Sequence, residues 1–320
     1  MSPSARLRTV PCVLLLAAAG LAAEGPAGAP EYRWKAKEIY RFDYQKTIQT
    51  ALGEAGAGRT TEMSAVLILE VETEEDHGRA IGHLKLGSPR VSLVYTRAAG
   101  AGADAAAAVH RQGLRTLEDI LAETRWRVEL RPDGRVRVLA PPADWRAWMQ
   151  KLEQGGHWPK YMALHVREML DQNFHLDANT LDEEMLPAFG PPPEPLVATG
   201  LQALHPRREV TAGRKLADGR VPLRVQRVAL PEAGSPQLVP VPNSKDPPVT
   251  VKAGLVEMLS GEGVFDPEAG LPDSLRESYR VTLTSAFAGQ ELSRPVTVTY
   301  ALRRLAPPIR GREAEKGDAP

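Results

Sequence analysis

Cysteine is almost missing from this 320-residue chain: Cys12 is the only one. A lone thiol supports neither a disulfide framework nor a multi-cysteine metal site, so an oxidising compartment would leave the fold resting on its core. Aromatic residues are sparse at 5%, and neither sign of charge prevails, with 40 basic against 40 acidic residues. Nucleic-acid binding shows as a basic excess or patch, and neither stands out here, so nucleic acid is not an expected partner. Apolar runs are short as well. The longest, Val13–Ala23, follows Arg6 and Arg8 and ends near the small residues Gly20 and Ala22.

That arrangement is the pattern of a secretory signal peptide, and the run is short for a bilayer span. Cleavage is expected after Ala22 or Ala23, which gives a secreted or periplasmic protein; an uncleaved anchor is the alternative. Lipid attachment would need a cysteine at the end of the run, and Cys12 precedes it, so a lipoprotein is not expected. Without Arg6 and Arg8, 38 basic residues face 40 acidic ones, a net charge of −2. No later apolar run is long enough for a transmembrane segment.

What is present is alternation. Tyr279, Val281, Leu283, Ser285 and Phe287 alternate with polar residues, and Val296, Val298, Tyr300 and Leu302 resume the pattern beyond Gly289. Two period-2 runs around a glycine turn predict a hairpin. A lone hairpin is marginal in water, so other layers must bury its apolar side. Tyr40, Phe42 and Tyr44 predict a first strand with aromatics inward. Met63, Ala65, Leu67, Leu69 and Val71 mark a strand expected to be covered on both sides, since Val66 and Ile68 fall opposite. Strands at 81–86 and 91–95 flank Gly87-Ser88-Pro89, which reads as a turn.

The 98–108 Ala/Gly tract reads as a loop, followed by a short helix carrying Leu117, Ile120 and Leu121. Trp126, Val128 and Leu130, then Asp133-Gly134, then Val136 and Val138, form a second hairpin. Helices are expected around Trp145 and Trp148, from Pro159 to about Phe174, and from Thr180 through Met185 and Leu186. Beyond the prolines of 187–195, strands return around Val210 and 221–225. Val228 and Leu230 are out of phase with that set, which suggests a bulge near Arg227.

The organisation so expected is a signal peptide (1–23), a flexible lead (24–37), an antiparallel β lobe with one short helix (38–140) and a helical segment (141–186). A proline-rich linker (187–206), a second β lobe (207–305) and a disordered tail (306–320) complete it. The fold class is α+β: two antiparallel β-rich lobes with a helical segment between them, whose helices cover one face of the sheet.

Chemistry has few candidates. His165, Glu168, Asp171 and His175 share one side of the second helix, and imidazole with carboxylate suits a metal such as zinc. A solvated polar stripe would look the same. Trp145, Trp148, Trp158 and Tyr161 lie close together and could line an apolar site, or anchor the helices on the sheet. The acidic runs 72–76 and 182–184 read as a solvated turn and a helix start, and no serine lies in a nucleophile motif. No catalytic residue and no cofactor is therefore expected.

Taken together, the signal sequence, the first strand Tyr40-Arg41-Phe42-Asp43-Tyr44, the proline-rich middle, and Gly261, Gly263, Phe265, Asp266 and Gly270 resemble uncharacterised secreted bacterial β-rich proteins. That resemblance implies no activity and transfers no catalytic residue. The expected function is a non-enzymatic binding or structural module, enclosing an apolar or lipid-like ligand or meeting an envelope protein. The alternatives are a metal-dependent hydrolase on the His165–His175 helix face, or an interaction scaffold that pairs strands at a sheet edge.

Overall fold

Tyr40, Phe42 and Tyr44 are buried while their odd-numbered neighbours are less so, and the aromatic alternation forms strand β1 (Ile39–Ala51). The same one-sided pattern repeats along β2 (Gly58–Glu74), β3 (Ala80–Thr96), β4 (Arg125–Leu130) and β5 (Val136–Ala140). The remaining strands are β6 (Arg207–Ala212), β7 (Val221–Val228), β8 (Gln237–Val239), β9 (Val249–Asp266), β10 (Leu271–Phe287) and β11 (Gln290–Arg304), and the alternation is clearest in β7. A computed structural model describes residues 29–51, 58–96, 114–115, 117–119, 121–140, 185–190, 206–229, 235–239, 249–287 and 290–306.

All eleven strands belong to one antiparallel sheet, in the order β5-β4-β3-β2-β1-β11-β10-β9-β7-β6, with β8 also on β9. This corrects the expected α+β class: among the described residues strand accounts for 69% and helix for 7%, and the strands of both expected lobes form one sheet. The seam is the pairing of β1 with β11, which runs from Phe42↔Arg304 to Thr50↔Val296. Periodicity marks each strand but carries no information on which distant strand it pairs with, so two halves of one sheet look like two lobes.

Several local expectations hold. β10 and β11 form the terminal hairpin in register from Ser274↔Arg303 to Phe287↔Gln290. β4 and β5 turn at Gly134, whose φ of 89° suits glycine. Helical turns occur at the described residues of 114–123, with Leu114, Leu117 and Leu121 in the core.

Others do not. Gly87-Ser88-Pro89 is no turn: β3 runs through it, and the register against β2 shifts between Ser64↔Arg90 and Val66↔Gly87. The extra residue is absorbed as a bulge, with Ser88 at φ 47°. β2 is buried on one side, whereas Val66 and Ile68 are only half-buried. Met185 and Leu186, expected in a helix, are not helical.

A flat sheet would hold β6 roughly 40 Å from the β4–β5 turn, at about 4.8 Å per strand. Phe189 reaches both: its N–H donates to Asp133 O at 2.8 Å, and it bridges in parallel to Val210 of β6. The sheet therefore curls until its ends nearly meet. The lead segment makes a second stitch, as Tyr32 N–H donates to Pro132 O at 2.7 Å and Arg33 N–H to Gly270 O at 3.1 Å.

These two segments plug the curled end. The Tyr32 ring stacks on Trp34 at 5.2 Å and meets Phe265 edge-on at 5.3 Å, and Phe189 meets Phe265 at 5.5 Å. Tyr32 Oη–H donates to Pro187 O at 2.8 Å, and Tyr300 Oη–H donates to Met185 O. Burial pushes the Tyr32 hydroxyl well above the ordinary tyrosine range, so it remains a donor.

Closure by Phe189 predicts that Phe189→Ala lowers stability by about 3–5 kcal/mol, the usual range for emptying a buried aromatic site. Urea unfolding measures it. A change under about 0.5 kcal/mol would mean that the residue belongs to a surface linker.

Candidate functional site

The inner face of the curled sheet carries two apolar clusters. The larger fills the plugged end and includes Phe42, Leu67, Leu84, Trp126, Phe265 and Leu302. The smaller consists of Ala253, Tyr279, Val281, Val296 and Val298, with Ile48, Val251, Val256, Met258 and Leu283 packed against it. Both lie on one face, because Leu275, Glu277, Tyr279 and Val281 share a phase along β10, as do Val296, Val298, Tyr300 and Leu302 along β11.

A charged row lies between them. Glu277 pairs across to Tyr300 and Gly261, and it is fully buried. Its carboxylate is shared by two guanidinium groups from the sheet's far edge. Arg208 of β6 donates through Nε to both oxygens at 3.2 Å and also through Nη2. Arg227 of β7 donates through Nε at 3.2 Å and Nη2 at 2.6 Å, while its Nη1 donates to Pro206 O at 2.9 Å.

Each guanidinium also lies over an aromatic ring: Arg208 over Tyr300 at 4.6 Å, and Arg227 over Tyr279 at 4.8 Å. Cation–π contact and a shared carboxylate together offset the desolvation that burial imposes on the cations. Burial alone would raise the Glu277 pKa, but Arg208 and Arg227 outweigh it and hold the group down at about 2. The carboxylate is therefore ionised across any ordinary pH.

β9 leaves room for this row. A side chain at Gly261 would place its Cβ 2.3 Å from Val225 O, and one at Gly263 would lie 2.7 Å from Ser274 O. Glycine at 261 lets β7 approach β9 so closely, and glycine at 263 does the same for β10.

Sequence reasoning missed all three charged residues. The bulge expected near Arg227 is absent: β6 and β7 stay in register from Arg207↔Val228 to Ala212↔Leu223. The phase is unbroken, and Arg227 simply occupies the inward position after Leu223 and Val225, while Val228 points out and is exposed. The available signal was a charged residue in the apolar phase of three strands at once: Arg208 with Val210, Arg227 with Val225, and Glu277 with Tyr279.

The expected site residues are not brought into view. Trp145, Trp148, Trp158 and Tyr161, and the metal candidates His165, Glu168, Asp171 and His175, lie outside the described residues. Among the described residues no group of three His, Cys, Asp or Glu side chains could hold a metal ion. Trp34 and Trp126, by contrast, are buried in the main core.

Depression of the Glu277 pKa makes it stabilising above the unfolded value of about 4.5, and that contribution is lost as pH falls from there through about 2. The difference corresponds to about 3 kcal/mol. Glu277→Gln should therefore destabilise the protein at pH 7 by about 3–5 kcal/mol, since it leaves two cations sharing a neutral amide. Denaturant unfolding at pH 7, 4.5 and 2.5 should show the acid-dependent loss flattened in the variant. An unchanged slope would mean that Glu277 is not the group responsible.

No protein-family model matches the sequence, and no curated protein matches it. Among solved structures, the chain aligns with one described as lipid–protein interactions in lipovitellin, at 14% identity and a TM-score of 0.39, over 88% of this chain and 27% of that one. A second alignment, to a Nitrosomonas europaea structure named for AttH, has 10% identity and a TM-score of 0.17, over 88% of this chain and 59% of that one. The chain thus spans about a quarter of the lipovitellin chain and about three fifths of the other. Likenesses of this strength bear on neither ligand nor activity.

Proposed function

We propose that the protein is a non-enzymatic binding module that lays an apolar, lipid-like ligand along the inner face of the sheet, over Tyr279, Val281, Val296 and Val298. The observation that carries this reading is the second cluster itself. All its residues come from β1, β9, β10 and β11, so its members are neighbours in one layer, and it is distinct from the plugged core. Tyr279, Val281, Val296 and Val298 are buried, as the wall of an enclosed apolar site would be, and on one side the cluster ends at the charged row of Glu277, Arg208 and Arg227.

Methylene burial sets the scale. Each one removed from water is worth about 0.8 kcal/mol, so an alkyl chain of roughly ten could supply about 8 kcal/mol before ordering costs. Micromolar affinity, at about 8 kcal/mol net, is therefore the upper bound for such a chain, and a longer chain or added contacts would be needed to offset the ordering costs. A secreted or periplasmic setting, as the N-terminal sequence suggests, would give such a carrier access to envelope lipids.

Native mass spectrometry and lipid extraction of protein purified from its own envelope should find bound lipid, and cis-parinaric acid should bind saturably. Val281→Asn and, separately, Val256→Asn should weaken that binding about tenfold or more while the circular dichroism is kept. If nothing copurifies and the probe does not saturate, the ligand reading fails.

A further inference from the structure

We infer that the outer face of β3, β4 and β5 is a docking surface for an anionic phospholipid membrane. It is the side of the sheet opposite the apolar clusters, and the inference stands whether or not those clusters hold a ligand.

Register assembles the surface. Arg41, Ile68, Lys85 and Arg125 form one row across β1 to β4, and Ile39, Glu70, His83 and Arg127 form the next. Glu70 serves two cations, Lys85 at 2.7 Å and Arg125 at 2.9 Å. Glu129 serves three: Arg131 at 3.3 Å, Arg79 at 3.8 Å and Arg137 at 3.9 Å. Arg127 is exposed and has no acidic partner among the described residues. Glu72 adds one carboxylate, 2.9 Å from His83 Nδ1 but out of hydrogen-bond alignment. Basic groups thus exceed acidic ones on this face, although the whole chain is neutral. The imidazole of His83 is held below its usual pKa, first by burial and then by the charge of Arg125, against the opposing pull of Glu72 and Glu70.

The other half of the outer face differs. Along β10 and β11 it is lined by hydroxyls that bond one another, Ser278 to Thr299 at 3.1 Å and Thr284 to Ser293 at 2.9 Å. Arginines stand on this half too, but Arg280 is paired with Glu257 at 3.3 Å and Arg303 with Asp43 at 3.6 Å, so the dense cluster of cations sharing few carboxylates is that of β3, β4 and β5.

Lipid fits this flank better than a nucleic acid or an acidic protein. Leu139 is the extra residue where the β4–β5 register shifts between Arg127↔Ala140 and Val128↔Val138, and it is 41% exposed beside the arginines. Guanidinium groups around a protruding aliphatic side chain match a headgroup layer above acyl chains. No Phe, Tyr or Trp ring stands in these rows to stack on bases.

Vesicle cosedimentation of the full chain tests the inference. Vesicles of phosphatidylcholine containing about one third phosphatidylglycerol should bind at least about tenfold better than pure phosphatidylcholine, and raising the salt from about 0.1 M to 1 M should abolish the difference. Each basic residue near an anionic surface is worth about a fivefold change in partition, so the Arg127→Glu, Arg137→Glu double variant should lose more than about 20-fold. Arg127→Gln alone, at an exposed position, should lose about fivefold with unfolding unchanged. Arg280→Glu, on the hydroxyl flank, should change binding less than about twofold. Equal binding to both vesicles, an equal loss from Arg280→Glu, or binding to polyglutamate or duplex DNA without vesicle binding would each overturn it. So would a salt-sensitive dimer that the same double variant dissolves.

Discussion

Closure of the sheet at one end is the constraint on which the rest of the molecule depends. A layer of ten strands in a row must either lie flat, with both faces wetted, or curl and supply something to fill the curl. Here Phe189 and Tyr32 tie distant parts of the sheet together through backbone hydrogen bonds, and their rings become the filling. The inner face is then dry over its length at that end, and the alternation in every strand follows from it. Gly134 belongs to the same arrangement, since a Cβ there would lie 2.4 Å from the Tyr32 ring.

With the ends held, the inner face acquires an order along the strands: an aromatic plug, a main core, a charged row, and a second apolar field. The charged row is the costly part. Burying two guanidiniums and a carboxylate gains little net stability over an apolar substitute, though losing one member alone is expensive. Its effect is positional. Glu277 on β10 draws Arg208 and Arg227 from the two strands at the sheet's far edge, and the glycines of β9 allow them to come that close.

Much of the secondary structure was legible because alternation is a local property. The terminal hairpin, the Asp133-Gly134 hairpin and the aromatic first strand follow from residues within a few positions of one another. Connectivity was not legible, since the β1–β11 seam joins Phe42 to Arg304 and no short-range pattern announces it. Glycine and proline also misled, since Gly87-Ser88-Pro89 is a bulge inside a strand rather than a turn. The charged row escaped because inward positions were assumed to be apolar, so Arg227 read as a break in phase. The basic flank escaped for a different reason. Arg41, Lys85 and Arg125 are far apart in sequence, and only the pairing register gathers them.

The β1–β11 seam has a consequence for assembly. β1, β2 and β3 can pair as soon as they emerge, but the second edge of β1 has no neighbour until the last strand of the sheet is made. Closing a loop of some 250 residues comes late and slowly in a β protein. Until then an edge bearing Tyr40, Phe42 and Tyr44 stays bare, which is the condition under which nascent chains associate with one another. The finished sheet has no such edge there, so the hazard lies in the making of the molecule and not in the molecule itself.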